Sequence, residues 1–104
     1  MPIISQFFGI LIYIYQEIDG HHNEPHIHIK YNEYEMSMSI AGKVLGGKLP
    51  RKQKKLVDAW LEIHKEEVKT AWYAYNNDGE LIKIKGLEWS YETKSYRCKS
   101  FKRL

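Results

Sequence analysis

From Pro50 to Tyr75 the chain runs without a glycine or a second proline, and this stretch limits the possible folds more than any other feature. Proline suits the first turn of a helix, where its missing amide hydrogen would have no partner anyway. Leu56, Val57, Trp60, Leu61, His64, Val68, Ala71, Trp72 and Tyr75 then recur at spacings of three and four, which makes one broad apolar stripe on a helix. Lys54, Lys55, Asp58, Glu62, Lys65, Glu66 and Lys69 take the opposite side and read as a solvated face. The stripe is wide enough to cover a small sheet, with Trp60 and Trp72 as expected core anchors. Asn76-Asn77-Asp78-Gly79 supplies the turn chemistry that ends the helix.

The covering sheet comes from the residues before it. Phe7 to Tyr15 is rich in β-branched and aromatic residues, interrupted only by Gly9, and reads as one central strand buried on both faces. Gln16 to Glu24 is a polar turn leading into His26-Ile27-His28-Ile29-Lys30-Tyr31. After a short turn at Asn32-Glu33, Tyr34, Met36, Met38 and Ile40 alternate with Glu35, Ser37 and Ser39, a half-exposed strand by its period of two. Lys43 to Leu45 suggests one more strand before a Gly46-Gly47 turn, and Leu81 to Lys85 and Trp89 to Tyr91 suggest short terminal strands. The expected fold is α+β: a small, mainly antiparallel sheet packed against one long helix. Residues 1–80 form its core domain and residues 81–104 a basic, aromatic C-terminal extension.

At 104 residues the chain has room for a single core. No apolar run approaches the ~20 residues that span a bilayer, and the N-terminal segment lacks a basic region and a small-residue cleavage site, so no signal peptide is expected. A single cysteine, Cys98, excludes an internal disulfide framework and a cysteine-rich zinc module. A cytoplasmic protein is expected. Cys98 lies between Arg97 and Lys99, but no base is placed near it and it is given no role.

The net charge of +3 is unevenly spread: residues 1–80 carry −2 and residues 81–104 carry +5. In the latter segment Lys83, Lys85, Lys94, Arg97, Lys99, Lys102 and Arg103 are interleaved with Trp89, Tyr91, Tyr96 and Phe101. Such a segment can meet phosphates and stack on bases, or be a solvated hairpin or a partner-binding tail.

The chemistry concentrates at His22-Asn23-Glu24-Pro25-His26-Ile27-His28-Ile29-Lys30, which holds three of the five histidines. On a strand, Ile27, Ile29 and Tyr31 face one way and His26, His28 and Lys30 the other. Neighbours on one strand face stand roughly 6–7 Å apart, close enough for two imidazoles to act on one phosphate or share a metal. Three readings follow. In the first, His26, His28 and Lys30 cleave RNA: imidazoles serve as base and acid near neutral pH and the ammonium steadies the phosphate. His22, Lys83, Lys85, Arg97 and Lys99 then bind the substrate. In the second, His22, His26 and His28, with Glu24 or Glu35, hold zinc, against the repulsion of Lys30 on the same face. In the third the histidines are polar surface, and the tail contacts a protein or nucleic acid. His64, alone within an apolar stripe, reads as a hydrogen-bonded core residue.

The opening Met1-Pro2-Ile3-Ile4-Ser5-Gln6-Phe7-Phe8-Gly9-Ile10, the His21 to His28 motif, Leu49-Pro50, Trp60 and His64 together resemble the family called domain of unknown function 4160. Its members open with Met-Pro-x-Ile-Ser-x-Phe-Phe-Gly-Ile, continue with Asp-His-x-Pro-Pro-His-Phe-His, and follow with a Leu-Pro-initiated helix carrying a tryptophan and a later histidine. The resemblance covers roughly residues 1–75. The chain departs from it with His21 at an acidic position, Glu24 at the first proline and the long basic tail. Family members resemble parts of predicted toxin and antitoxin operons. The resemblance therefore implies a small toxin or interaction protein with a cognate antitoxin as partner, and leaves oligomeric state open.

Overall fold

The protein is described by a computed structural model covering residues 2–15, 24–90 and 94–98. The elements are β1 (Ile3–Phe7), β2 (Ile10–Tyr13), β3 (His26–Tyr31), β4 (Tyr34–Ser39), β5 (Val44–Gly47), α1 (Arg51–Asp78), β6 (Leu87–Ser90) and β7 (Ser95–Cys98). β1 to β5 form one antiparallel sheet in chain order, and β6 and β7 a separate hairpin. The α+β class expected from the periodicities is therefore the observed one. No described helix is long and apolar enough to cross a membrane.

The first strand differs from its sequence reading. Phe7 to Tyr15 is not continuous: Phe8 and Gly9 form a two-residue turn with φ of 51° and 78°, and Phe7 pairs with Ile10 across it. Positive φ at both central residues matches the right-handed twist of the strands it joins. β1 is thus the outer strand and β2 lies inside it. Gly46 and Gly47 are not a turn either, but the end of β5.

One sheet face carries Ile12, Ile27, Ile29, Met36 and Met38, all buried against Leu56, Val57, Trp60, Leu61, Val68, Ala71 and Trp72 of α1. Each fully buried side chain of this size stabilises by about 1.5–3 kcal/mol. Such burial holds the helix, because its ends offer little: Pro50 provides no side-chain cap, the first turn has no acid and the last turn no base. Its C-terminus is closed by Gly79 at φ 73°, whose amide donates to the Tyr75 carbonyl at 3.0 Å while Glu80 donates to Ala74. At His64 the backbone leaves helical values (φ −108°, ψ 19°), a break that neither proline nor glycine causes. The His64 ring is buried, 5.5 Å from that of Trp60, and its Nδ1 pairs with Glu67 one turn on. It is a core residue with a polar partner.

The segment after the helix joins the same core. The Ile84 amide donates to the Ile4 carbonyl at 2.7 Å, Ile84 and Leu87 are buried, and the Trp60 indole donates to the Lys85 carbonyl at 2.8 Å. Gly86 lies so near β1 that a Cβ there would stand 2.8 Å from the Gln6 carbonyl oxygen. The tightest of the described glycines is Gly47, where φ is 75° and a Cβ would meet the Glu35 carbonyl oxygen at 2.1 Å. Backbone cannot swing aside as a side chain can, so Gly47→Ala is expected to cost at least ~2 kcal/mol. Chemical denaturation would show this as a lower midpoint with unchanged slope, and an unchanged midpoint would contradict the packing of β5 on β4.

Candidate functional site

The face of the sheet turned away from the isoleucines gathers the polar residues of three strands. Register places Tyr13 of β2 beside His28 of β3 and Ser37 of β4, with Gly46 of β5 next in the same row. The neighbouring row sets Leu11, Lys30 and Glu35 side by side, and His26 pairs with Ser39. This follows from the period of two: Ile27 and Ile29 point to the helix, so the residues alternating with them take the other side of the strand, with His26, the first residue of β3, also coming near Trp72 of α1.

Within this face the histidines sit in an aromatic cluster. The ring centroids of His26 and His28 are 5.1 Å apart at 70°. His28 stacks on Tyr13 at 5.4 Å and meets Tyr15 edge-on at 4.8 Å, while His26 lies 6.2 Å from Trp72. His26 Nδ1 is 2.9 Å from the Glu24 carbonyl oxygen. A carbonyl only accepts, so Nδ1 carries the proton and Nε2 is the basic nitrogen of the neutral ring. Lys30 Nζ and Glu35 Oε2 are 4.0 Å apart between exposed side chains, a pair that contributes roughly 0–1 kcal/mol. A cavity of about 230 Å³ opens beside His28, lined also by Tyr13, Glu35, Ser37, Gly46 and Gly47.

Burial pushes the Tyr13 phenol up from 10.0 to about 12, helped by the nearby Tyr15 and Glu35 and by a hydrogen bond with Tyr15. The folded chain thus holds this proton more tightly than the unfolded chain does. Its contribution is complete below pH 10 and is lost as pH rises from 10 towards 12, on the order of 2 kcal/mol. Tyr13→Phe is expected to flatten that alkaline decline in a melting-temperature series; an identical decline in the variant would assign it to other groups.

The other sequence candidates are placed elsewhere. Lys83 is exposed and Lys85 half-buried, on either side of Ile84, whose amide bonds to β1. β1 is two strands from β3, and at about 4.8 Å per strand the segment is not a neighbour of His26 and His28. Partial burial lowers the Lys85 pKa, opposed by the attraction of Glu67 on the helix. Arg97 stands opposite Glu88 in the β6–β7 register. His22 and Lys99 lie outside the described residues. Among the described residues no three His, Cys, Asp or Glu side chains gather as a metal site.

Tyr13 and Tyr15, which pack on His28, are not among the candidates read from the sequence, although the signal is present. They alternate with Ile12 and Ile14 just as His26 and His28 alternate with Ile27 and Ile29. No curated protein and no solved structure matches the chain. The model of one family, described as domain of unknown function (DUF4160), matches residues 9–73. That span runs from the β1–β2 turn through the histidine strand to Tyr73 of the helix and exceeds half the sequence, so the chain belongs to this family.

Proposed function

We propose that the chain is the RNA-acting component of a toxin and antitoxin pair, with His26 and His28 as an acid–base pair and Lys30 as the phosphate-facing cation. The supporting observation is the geometry of the two imidazoles, 5.1 Å apart, one of them oriented by the Glu24 carbonyl. Cleavage by the ribose 2′-hydroxyl requires a base to take its proton and an acid to protonate the departing 5′-oxygen. Two histidines on one strand face can hold those roles on either side of one phosphate. His26, with Nε2 as its basic nitrogen, is suited to the base; protonated His28 is suited to the acid. The new bond joins the 2′-oxygen to phosphorus as the phosphorus–5′-oxygen bond breaks, leaving a 2′,3′-cyclic phosphate and a 5′-hydroxyl. Lys30 offsets the charge growing on the phosphoryl oxygens.

The test is induced expression of the wild type and of the His26→Ala, His28→Ala double variant, following growth and total RNA. Growth arrest with RNA fragmentation in the wild type alone supports the reading. Unaffected growth and intact RNA in both would replace it with a binding or antitoxin-like role, in which deleting residues 93–104 abolishes function while the histidine variants keep it. Stoichiometric zinc in protein purified without a histidine tag, with a chelator-sensitive melting temperature, would instead favour a metal site that includes His22.

A further inference from the structure

We infer that the cavity beside His28 is a guanine-selecting base pocket in which Glu35 and Ser37 read the Watson–Crick edge. The inference rests on the RNA-acting reading, because it names the nucleotide that reading leaves open. At about 230 Å³ the cavity falls below the ~300–1,000 Å³ of sites for drug-sized ligands, a size for one base. Position 46 adds no side chain to its wall, and a Cβ there would stand 3.9 Å from Ser37 Oγ. Gly46 and Gly47 thus line the cavity with backbone alone. Unpaired RNA bases are recognised in this way, splayed out and hydrogen-bonded along the Watson–Crick edge.

The choice of base follows from the hydrogen-bonding groups present. An ionised carboxylate is an acceptor with two oxygens and no donor. Guanine alone presents two adjacent donors, N1–H and N2–H₂, to such a partner. Adenine and cytosine set an acceptor next to their amino group, and uracil flanks its single N–H with two carbonyls, so each turns a lone pair towards Glu35. Guanine's third edge group, O6, is an acceptor and meets the Ser37 hydroxyl as donor. Glu35 and Ser37 are two residues apart on β4 and face the cavity together, a spacing of roughly 6–7 Å along the strand. The ion pair with Lys30 at 4.0 Å joins exposed side chains and is a weak restraint on the carboxylate. His28 lines the cavity and is 5.1 Å from His26, so the base pocket and the proposed cleavage pair adjoin.

The full chain is titrated by NMR with the 3′-monophosphates of guanosine, adenosine, cytidine and uridine. Guanosine 3′-monophosphate is expected to bind at least tenfold tighter than the other three. Glu35→Gln, an exposed and near-isosteric change that replaces one acceptor by a donor, is expected to remove the preference. Gly46→Val, whose Cβ would have only Ser37 Oγ within 4 Å, is expected to weaken guanosine 3′-monophosphate at least tenfold with the circular dichroism unchanged. Equal affinities in the wild type, a preference that survives Glu35→Gln, or unchanged binding in Gly46→Val would each overturn the inference. Guanine preference without RNA cleavage would support the pocket and remove the cleavage reading; cleavage without base preference would do the reverse.

Discussion

With His28 as the proposed acid, replacing it by alanine is expected to lower the rate of the proposed RNA cleavage by roughly 10²–10⁴-fold, the usual contribution of a positioned acid or base. The same loss is expected at His26, and the double variant should lose less than the product of the two single losses. An acid and a base that serve one displacement fail together once either is gone. Folding is not expected to follow activity. Ile27 and Ile29 supply the fully buried core contacts of β3, whereas His26 and His28 are only partly buried and the core ring beside His26, that of Trp72, stands 6.2 Å away. Because His28 packs on Tyr13 and Tyr15, His28→Gln is the companion variant: it keeps polar bulk in the cluster but cannot titrate near neutral pH. Loss of cleavage in both, with melting temperatures within a few degrees of wild type, places the effect on chemistry. Retained cleavage in His28→Gln would remove His28 from the acid role.

The largest effect on stability is expected at Trp60. Its side chain is fully buried, stacks on Phe7 with ring centroids 5.7 Å apart, and donates to the Lys85 carbonyl. It thus joins β1, the helix and the segment after the helix. Trp60→Ala leaves a cavity between all three and deprives a partly buried carbonyl of its donor, a combined cost of about 3–5 kcal/mol. At roughly 4–8 °C per kcal/mol for a domain of this size, the melting temperature should fall by more than ~12 °C. Trp60→Phe restores most of the volume but not the indole donor, and should lie between the two. A fall below ~4 °C for the alanine variant would mean that the three elements do not depend on this residue for their contact.

The helix and the β3–β4 hairpin are legible in the sequence because their apolar residues repeat at one period each. Ile27, Ile29, Met36 and Met38 alternate with polar residues on both strands, so register and facing follow once the Asn32-Glu33 turn is seen. Phe7 to Tyr15 was harder because apolar residues fill both faces. That composition concealed the Phe8-Gly9 turn, in which an aromatic residue takes a positive φ that turn signals do not anticipate. It also concealed Tyr13 and Tyr15, since a strand read as buried throughout has no face left for a site. Gly46-Gly47 carries the composition of a turn yet closes β5, because only a residue without a side chain fits against the Glu35 carbonyl. The position of Lys83 and Lys85, away from the histidines, depends on where Ile84 and Leu87 enter the core, and no local pattern encodes that distance. Charge in the tail was visible; its place in the fold was not.

The most direct measurement is single-turnover cleavage of a defined single-stranded RNA by the purified full chain in excess chelator, with the fragment ends identified. Histidine acid–base chemistry predicts cleavage that the chelator leaves intact, ends that are 2′,3′-cyclic phosphate and 5′-hydroxyl, and no fragments from the His26→Ala, His28→Ala variant. Fragments that persist in that variant, or that vanish with the chelator, would contradict it.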